Sequence, residues 1–266
     1  NLRGEIPPAI KDLTGLQVLV ISDDTLSGSI PPEVWTLETL TTLVIRNTTL
    51  PGSIPASIEN LASLERLDLA FNNLADTLPD EIGNLANLLN LTIDFNDFEG
   101  EIPASMGNLT KLETIYLGGN RFAGAVPSEF AGLDSLSLFN LFDNQLTDLP
   151  DLSGLTKLTE FKVENNQFTF EDLEPYISIP GFNYAPQDSI GTEAFDTLAI
   201  GSTLVISVSV AGDSNQYQWY FNDSPIDGAT SATYTDVIDE TEFGDYYCYI
   251  TNTVVTGLTL VSRPSH

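Results

Sequence analysis

The sequence predicts an α/β-type solenoid, with a parallel sheet on its concave face and a mostly irregular or 3-10 convex side, followed by an all-β sandwich. Prolines recur at 7, 31, 55, 79, 103 and 127, an unbroken spacing of 24 residues, in the tetrapeptides GEIP, GSIP, GSIP, DTLP, GEIP and GAVP. A fixed period of this length is the mark of a repeat architecture. Between prolines the chain reads L-x-x-L-x-x-L-x-L-x-x-N-x-L, as in Leu61, Leu64, Leu67, Leu69, Asn72 and Leu74. Beyond residue 193 the period gives way to apolar/polar alternation, as in STLVISVSVAG, which is the pattern of half-buried strands.

Each coil of the solenoid carries an apolar stripe that it cannot bury alone. Leu67 and Leu69, two apart on a short strand, therefore point inward onto their equivalents in neighbouring coils, and the strands stack as a parallel sheet. The frame continues through Leu85, Leu88, Leu91, Ile93, Asn96 and Phe98, and reaches Leu155, Leu158, Phe161, Val163, Asn166 and Phe168 after a last step shortened to 22. After the strand the chain must bend, and a buried bend leaves backbone groups without partners. The amides of Asn72, Asn96, Asn120, Asn144 and Asn166 can satisfy them, which makes this column a structural ladder. Asp24 and Thr48 occupy the same column in the first two coils, where a weaker ladder is expected. Gly28, Gly52, Gly100 and Gly124 form a further column that Asp76 interrupts.

These residues resemble the leucine-rich repeat family, and the LxGxIP element resembles its plant-type class, over roughly residues 1–170. The expected organisation is a solenoid of about seven repeats over 1–184, a linker at 185–192, and a second domain at 193–266. Because the chain opens inside a repeat at Leu2 without a polar cap, upstream repeats are expected to be missing. In the second domain Leu204, Ile206 and Val208 share one strand face, and Tyr246, Cys248 and Ile250 share another. Gly244-x-Tyr246-x-Cys248, with Trp219 upstream, resembles the immunoglobulin fold. That resemblance implies a Tyr corner and places Val208 where the partner cysteine of the usual disulfide would stand. The order of repeats, NYAPQD junction and single-Cys unit is similar to secreted surface proteins of Bacteroidetes bacteria, which implies a secreted or cell-surface, adhesive role.

The 42% hydrophobic content of 266 residues suffices for one or two cores, and no run approaches the roughly 20 apolar residues of a membrane span. Nine Lys+Arg against 38 Asp+Glu give a net charge of −29, so nucleic acid and anionic membranes are excluded as partners. The one histidine is the last residue, so a Ser–His nucleophile pair cannot form. Cys248 falls on a core face and is expected to be inert. No cofactor motif occurs. The acidic stretches ISDDTL and IDFND lack the spacing of a calcium loop, which leaves only weak surface binding of calcium. One acid/base pair merits attention: Asp68 and Asp94, on adjacent strands with backbones about 8 Å apart, in the range of an inverting glycosidase. An open sheet offers nothing to raise one of their pKa values. The expectation is a protein without catalytic activity, the alternatives being a glycosidase on this pair, an inhibitor of a wall-degrading enzyme, and a passive spacer.

With Leu67 and Leu69 buried, alternation turns Arg66, Asp68 and Ala70 outward on the concave side. Repetition of that frame gives three outward columns. The ligand site is expected where Arg46, Arg66, Asp68, Thr92, Asp94, Tyr116, Asn140, Phe142 and Lys162 come together, a mixture of aromatic and Arg residues enriched at interfaces. Phe71, at the turn before the ladder, is expected to cover the edge of the solenoid instead. No column of identical threonines, which an ice-binding sheet would need, is present. Seven strands and four exposed positions give a face of about 380 Å², which alone suits an oligosaccharide or an extended peptide, while a globular protein partner, needing roughly 800 Å², would also use the flanking loops or upstream repeats.

Overall fold

The computed structural model describes residues 3–23, 25–195, 197–239 and 244–266. The chain divides into two compact units, Asn1–Glu164 with Ser178–Asn183, and Asn165–Ile177 with Tyr184–His266.

In the first unit eight short strands run parallel in chain order: Val18–Ser22, Thr42–Arg46, Arg66–Asp68, Asn90–Thr92, Thr114–Tyr116, Leu138–Asn140, Glu160–Lys162 and Phe182–Asn183. Their register aligns Val18, Thr42, Arg66, Asn90, Thr114, Leu138 and Glu160 in one row. Two residues on, Val20, Val44, Asp68, Thr92, Tyr116, Asn140 and Lys162 form the next row. These are the columns that the 24-residue period implies. Leu67, Leu69, Leu91, Ile93, Ile115 and Leu117 between them are wholly buried, and each contributes about 1.5–3 kcal/mol. Toward the later coils phenylalanines replace leucines, with Phe139 and Phe161 stacked at 5.3 Å.

On the outer side each motif proline immediately precedes a 3-10 helix, including Pro32–Thr36, Ala56–Asn60, Asp80–Asn84, Ala104–Asn108 and Ser128–Gly132. The proline ring holds φ near −70°, as at Pro31 (−70°) and Pro79 (−74°), and directs the chain into the turn. A second parallel sheet, which the period alone did not reveal, joins Pro51–Gly52, Asn73–Asp76, Asp97–Gly100, Arg121–Ala125 and Gln145–Asp148. In it Leu74, Phe98, Phe122 and Leu146 turn into the core. Asp76 occupies the interrupted glycine column at φ +69°, beside Gly100 at +78°.

The asparagine ladder is built as the bend requires. Asn96 Nδ2 donates to the carbonyls of Leu69 and Ile93 at 3.0 Å each, and its Oδ1 accepts the N–H of Leu74 at 3.0 Å. Asn72, Asn120 and Asn144 repeat the arrangement. Thr48 continues the column, buried, with its hydroxyl donating to Asn72 Oδ1 at 2.6 Å. Asp24 and Leu2 lie outside the described residues. The first coil is the least covered: Leu13 is 53% exposed, whereas Leu61, two coils on, is fully buried.

The second unit contains two antiparallel sheets. One pairs Thr203–Ser207 with Thr233–Val237, and the other orders Ser224–Pro225, Asn215–Phe221, Tyr246–Asn252 and Thr259–Val261. Trp219 and Cys248 face each other across the second sheet and are both buried. Burial pushes the Cys248 thiol up to about 11, which keeps it protonated and inert. The segment Asn165–Ile177 belongs to this unit. Its short helix Phe170–Leu173 is capped reciprocally by Thr169 and Asp172, and Glu174 Oε1 accepts from Asn252 Nδ2 at 2.8 Å. Gln187, within the stretch expected to be a linker, accepts the backbone N–H groups of Asn166 and Phe168 at 3.2 Å, the part that a further ladder residue would play.

Candidate functional site

The inner sheet presents its side chains in rows, but alternation decides only the side on which each residue starts. Arg46 and Arg66 converge from different rows on Asp68 Oδ2, at 3.3 and 3.0 Å, and Asp68 Oδ1 accepts the N–H of Ala70 at 3.3 Å. Asp68 is thereby 1% exposed. The expectation that it stands free on the concave face is corrected: two long basic side chains converge on its Oδ2, and the backbone N–H of Ala70 takes its Oδ1. Asn140 is corrected likewise, being buried with Oδ1 turned back to accept the N–H of Phe142 at 3.2 Å. Ala70, also assigned outward, and Val44, in the same row as Asp68, are covered as well. Lys162 is paired with Glu160 at 2.6 Å, which raises its pKa. Thr92 and Tyr116 stay half-buried at the centre of the sheet, and burial raises the pKa of the Tyr116 phenol.

Asp94 differs from Asp68. It lies in the row of Ala70 and Gly118, two residues with almost no side chain. Its Oδ1 is buried and has no hydrogen-bond partner in the structure. Desolvation is the main cause that pushes the Asp94 carboxyl up to about 6, opposed first by a hydrogen bond from its own backbone and last by Arg46, with a smaller push from the Asp68 charge. The expectation that nothing would raise one carboxyl of the pair is therefore overturned. Its partner Asp68, however, has no free oxygen left with which to activate water.

Beside Asp94 runs an aromatic ridge. Phe71 and Phe95 stack at 4.4 Å with an interplanar angle of 19°, and Phe142 meets Phe95 edge-on at 5.5 Å. The Arg46 guanidinium lies 5.8 Å from the Phe71 ring centre, within range of a cation–π contact. The two glycines of YLGGN make room for this ridge. A Cβ on Gly118 would fall 2.6 Å from Phe142 Cε1, and one on Gly119 would fall 2.8 Å from Phe95 Cδ1. Phe71 and Phe95 remain 41% and 39% exposed. Phe71, set aside from sequence as an edge cover, thus belongs with Arg46 and Phe142. Phe95 was missed altogether.

A signal for both was present in the chain. The position before the ladder takes φ between about +50° and +65° at Asp23, Asn47, Phe71, Phe95, Gly119 and Asp143. Asp, Asn and Gly tolerate that left-handed conformation, whereas a bulky aromatic is strained in it. Among the described residues no group of three His, Cys, Asp or Glu side chains is placed to hold a metal ion, and no helix is long and apolar enough to cross a membrane.

Family models for the leucine-rich repeat match residues 63–85 and 110–168. The first unit is a leucine-rich repeat solenoid. Solved structures similar to it include the leucine-rich repeat ectodomain of the membrane receptor kinase GASSHO1/SCHENGEN3 from Arabidopsis thaliana, in complex with CASPARIAN STRIP INTEGRITY FACTOR 2. That match has 33% identity and a TM-score of 0.64, covering 73% of this chain and 24% of the receptor chain. The Arabidopsis receptor kinase HAESA, in complex with the peptide hormone IDA and the co-receptor SERK1, matches at 31% identity and a TM-score of 0.65, over 73% of this chain and 33% of that one. A plant ice-binding protein matches at 30% identity and a TM-score of 0.60, over 74% of this chain and 64% of its own. The repeats therefore span about a quarter to a third of these receptor chains. No curated protein matches the chain.

Proposed function

We propose that the repeats recognise an extended peptide laid across the inner sheet, with the ridge Phe71, Phe95 and Phe142 as its apolar anchor. The observation that carries this reading is the left-handed backbone of Phe71 and Phe95, at φ +56° and +54°. Each such residue costs about 1–2 kcal/mol, and the same column offers Asp, Asn and Gly in other coils. Strain of this kind persists where the side chain it presents is needed. Here the strain presents two stacked, part-exposed rings on an acidic protein, next to a carboxyl oxygen that lacks a donor. An apolar or aromatic peptide side chain would pack on the ridge, and a neighbouring Lys or Arg would be drawn to the Asp94 carboxylate beside it.

The complex of the similar receptor kinase HAESA with the peptide hormone IDA supports this ligand class. An ice-binding role draws no support from the inner sheet, whose rows mix Arg, Asp, Tyr and Phe. A glycosidase on Asp68 and Asp94 is disfavoured because Asp68 is clamped by Arg46 and Arg66. The wider reading is an extracellular recognition or adhesion protein without catalytic activity, organised as a solenoid over 1–184 and an immunoglobulin-like sandwich over 193–266.

Selection of a random displayed peptide library on the full chain tests the ligand class. Enriched peptides should combine an aromatic or aliphatic residue with a nearby Lys or Arg, and should bind Phe71→Asn/Phe95→Asn at least tenfold more weakly. Failure to enrich any peptide, or equal binding by the variant, would move the site away from the ridge.

A further inference from the structure

The second unit carries an aromatic surface of a different kind. In the paired strands Asn215–Phe221 and Tyr246–Asn252, Trp219 and Cys248 turn into the core. The alternate residues Gln216, Gln218 and Tyr220, with Tyr247, Tyr249 and Thr251, therefore line the opposite face, and all six are half-buried or exposed. Tyr220 and Tyr247 lie 5.5 Å apart with nearly parallel rings (6°), and Tyr249 stands edge-on to both, at 4.7 and 5.5 Å. The rings are held in place. The Asn222–Asp223 turn takes φ +43° and +64°, values that Asn and Asp tolerate, and brings Asp223 Oδ1 to accept from the Tyr247 hydroxyl at 2.8 Å. Gln218 Nε2 donates to the carbonyls of Trp219 and Ile226, at 2.9 and 2.8 Å. Its own carbonyl oxygen is thereby fixed as an acceptor beside Tyr249, its cross-strand partner.

We infer that this tyrosine face is a binding platform for a neutral polysaccharide. Aromatic faces pack against the C–H faces of sugar rings, while the Gln amide and the Tyr and Thr hydroxyls serve sugar hydroxyls as donors and acceptors. None of the six residues is charged, although the chain carries a net charge of −29. A neutral glycan therefore meets a matching surface, while an acidic one would be repelled by the rest of the molecule. Area argues against a second copy of the chain. Four strands span about 14 Å, and three same-face positions on the two long ones about 13 Å, at most on the order of 200 Å², against roughly 800 Å² per side for a stable protein pair. That footprint accommodates a few sugar rings. The inference is independent of the peptide reading of the repeats.

Native gel electrophoresis of the full chain through gels cast with mixed-linkage β-glucan, galactomannan, arabinoxylan or dextran tests it, with polygalacturonate as the acidic comparison. The chain should be retarded in at least one neutral gel and not in polygalacturonate. Tyr220→Ala/Tyr247→Ala should weaken retardation at least tenfold. Thr251→Glu, which adds a charge at an exposed position and removes no ring, should weaken it as well and decides the matter if the tyrosine variant fails to fold. Phe71→Asn/Phe95→Asn should leave it intact. Absence of retardation in every neutral gel, equal retardation of the wild type and Thr251→Glu, or loss in the phenylalanine variant would overturn the inference. So would a concentration-dependent dimer that the tyrosine substitutions abolish, which would assign the face to self-association.

Discussion

The column Asn72, Asn96, Asn120 and Asn144 and the column just before it, Phe71, Phe95, Gly119 and Asp143, lie one residue apart and differ in every physical respect. The ladder is uniform, buried and fully hydrogen-bonded, because every coil makes the same bend and leaves the same backbone groups to satisfy. The preceding column shares one backbone conformation and no side-chain identity. Where a position repeats its residue, stability dictates it. Where it abandons the residue its backbone favours, as at Phe71 and Phe95, the proposed reading is that binding has chosen the side chain.

Substitution in the ladder should produce the largest effect. Asn96→Ala removes the acceptor for the Leu74 N–H and one of two amide donors on each of the Leu69 and Ile93 carbonyls, which keep Asn72 and Asn120 respectively. The unpaired N–H costs about 1–3 kcal/mol and each of the two other hydrogen bonds about 0.5–1.5, so a loss of roughly 2–5 kcal/mol is expected in urea unfolding. A loss below about 1 kcal/mol would mean that water replaces the ladder and that the contrast with the neighbouring column is weaker than drawn.

Asp94→Asn should act more mildly, and only in one pH window. Asp94 holds its proton to about pH 6 in the folded chain against 3.8 for an ordinary aspartate. Between those values the folded state binds more protons than the unfolded one, so stability falls as pH rises. One pKa unit is about 1.4 kcal/mol, and solvent screening of a part-exposed group reduces the total. Asp94→Asn should therefore gain about 1 kcal/mol at pH 7.5 and nothing at pH 3.5, as read from urea midpoints. An equal gain at both pH values would assign the effect to packing and not to charge.

Cys248 offers a check outside the solenoid. A thiol reagent should label it only after denaturation, since burial holds it near 11, and rapid labelling of the native chain would show that the second core is open.

Much of the solenoid is legible in the chain because each coil repeats one burial problem. The 24-residue step dictates that Leu67 lies beside Leu91, and the register follows it. What escapes the period depends on side chains that cross between rows. Asp68 is outward by alternation yet buried, because Arg46 and Arg66 reach it from two other positions. The raised pKa of Asp94 depends on how far its carboxyl is desolvated, which the spacing of the repeat does not reveal. The outer sheet was hidden because Leu74 and Phe98 served equally well as members of the repeat pattern without any strand being assumed. Phe95 was visible as an exception in a column of Asp, Asn and Gly, but only once that column is known to be left-handed.

The central claim is that Phe71 and Phe95 are retained for binding at a conformational cost, and the variant Phe71→Asn/Phe95→Asn tests it most directly. Asn relieves about 1–2 kcal/mol of strain at each position, while loss of the stacked pair and its burial removes a similar amount. Calorimetric titration of this variant with a peptide selected on the wild type, at matched folded fraction, should show affinity at least tenfold weaker, about 1.4 kcal/mol, with unfolding free energy within about 1 kcal/mol of the wild type. Unchanged affinity together with a large loss of stability would contradict the account, since the rings would then be part of the scaffold.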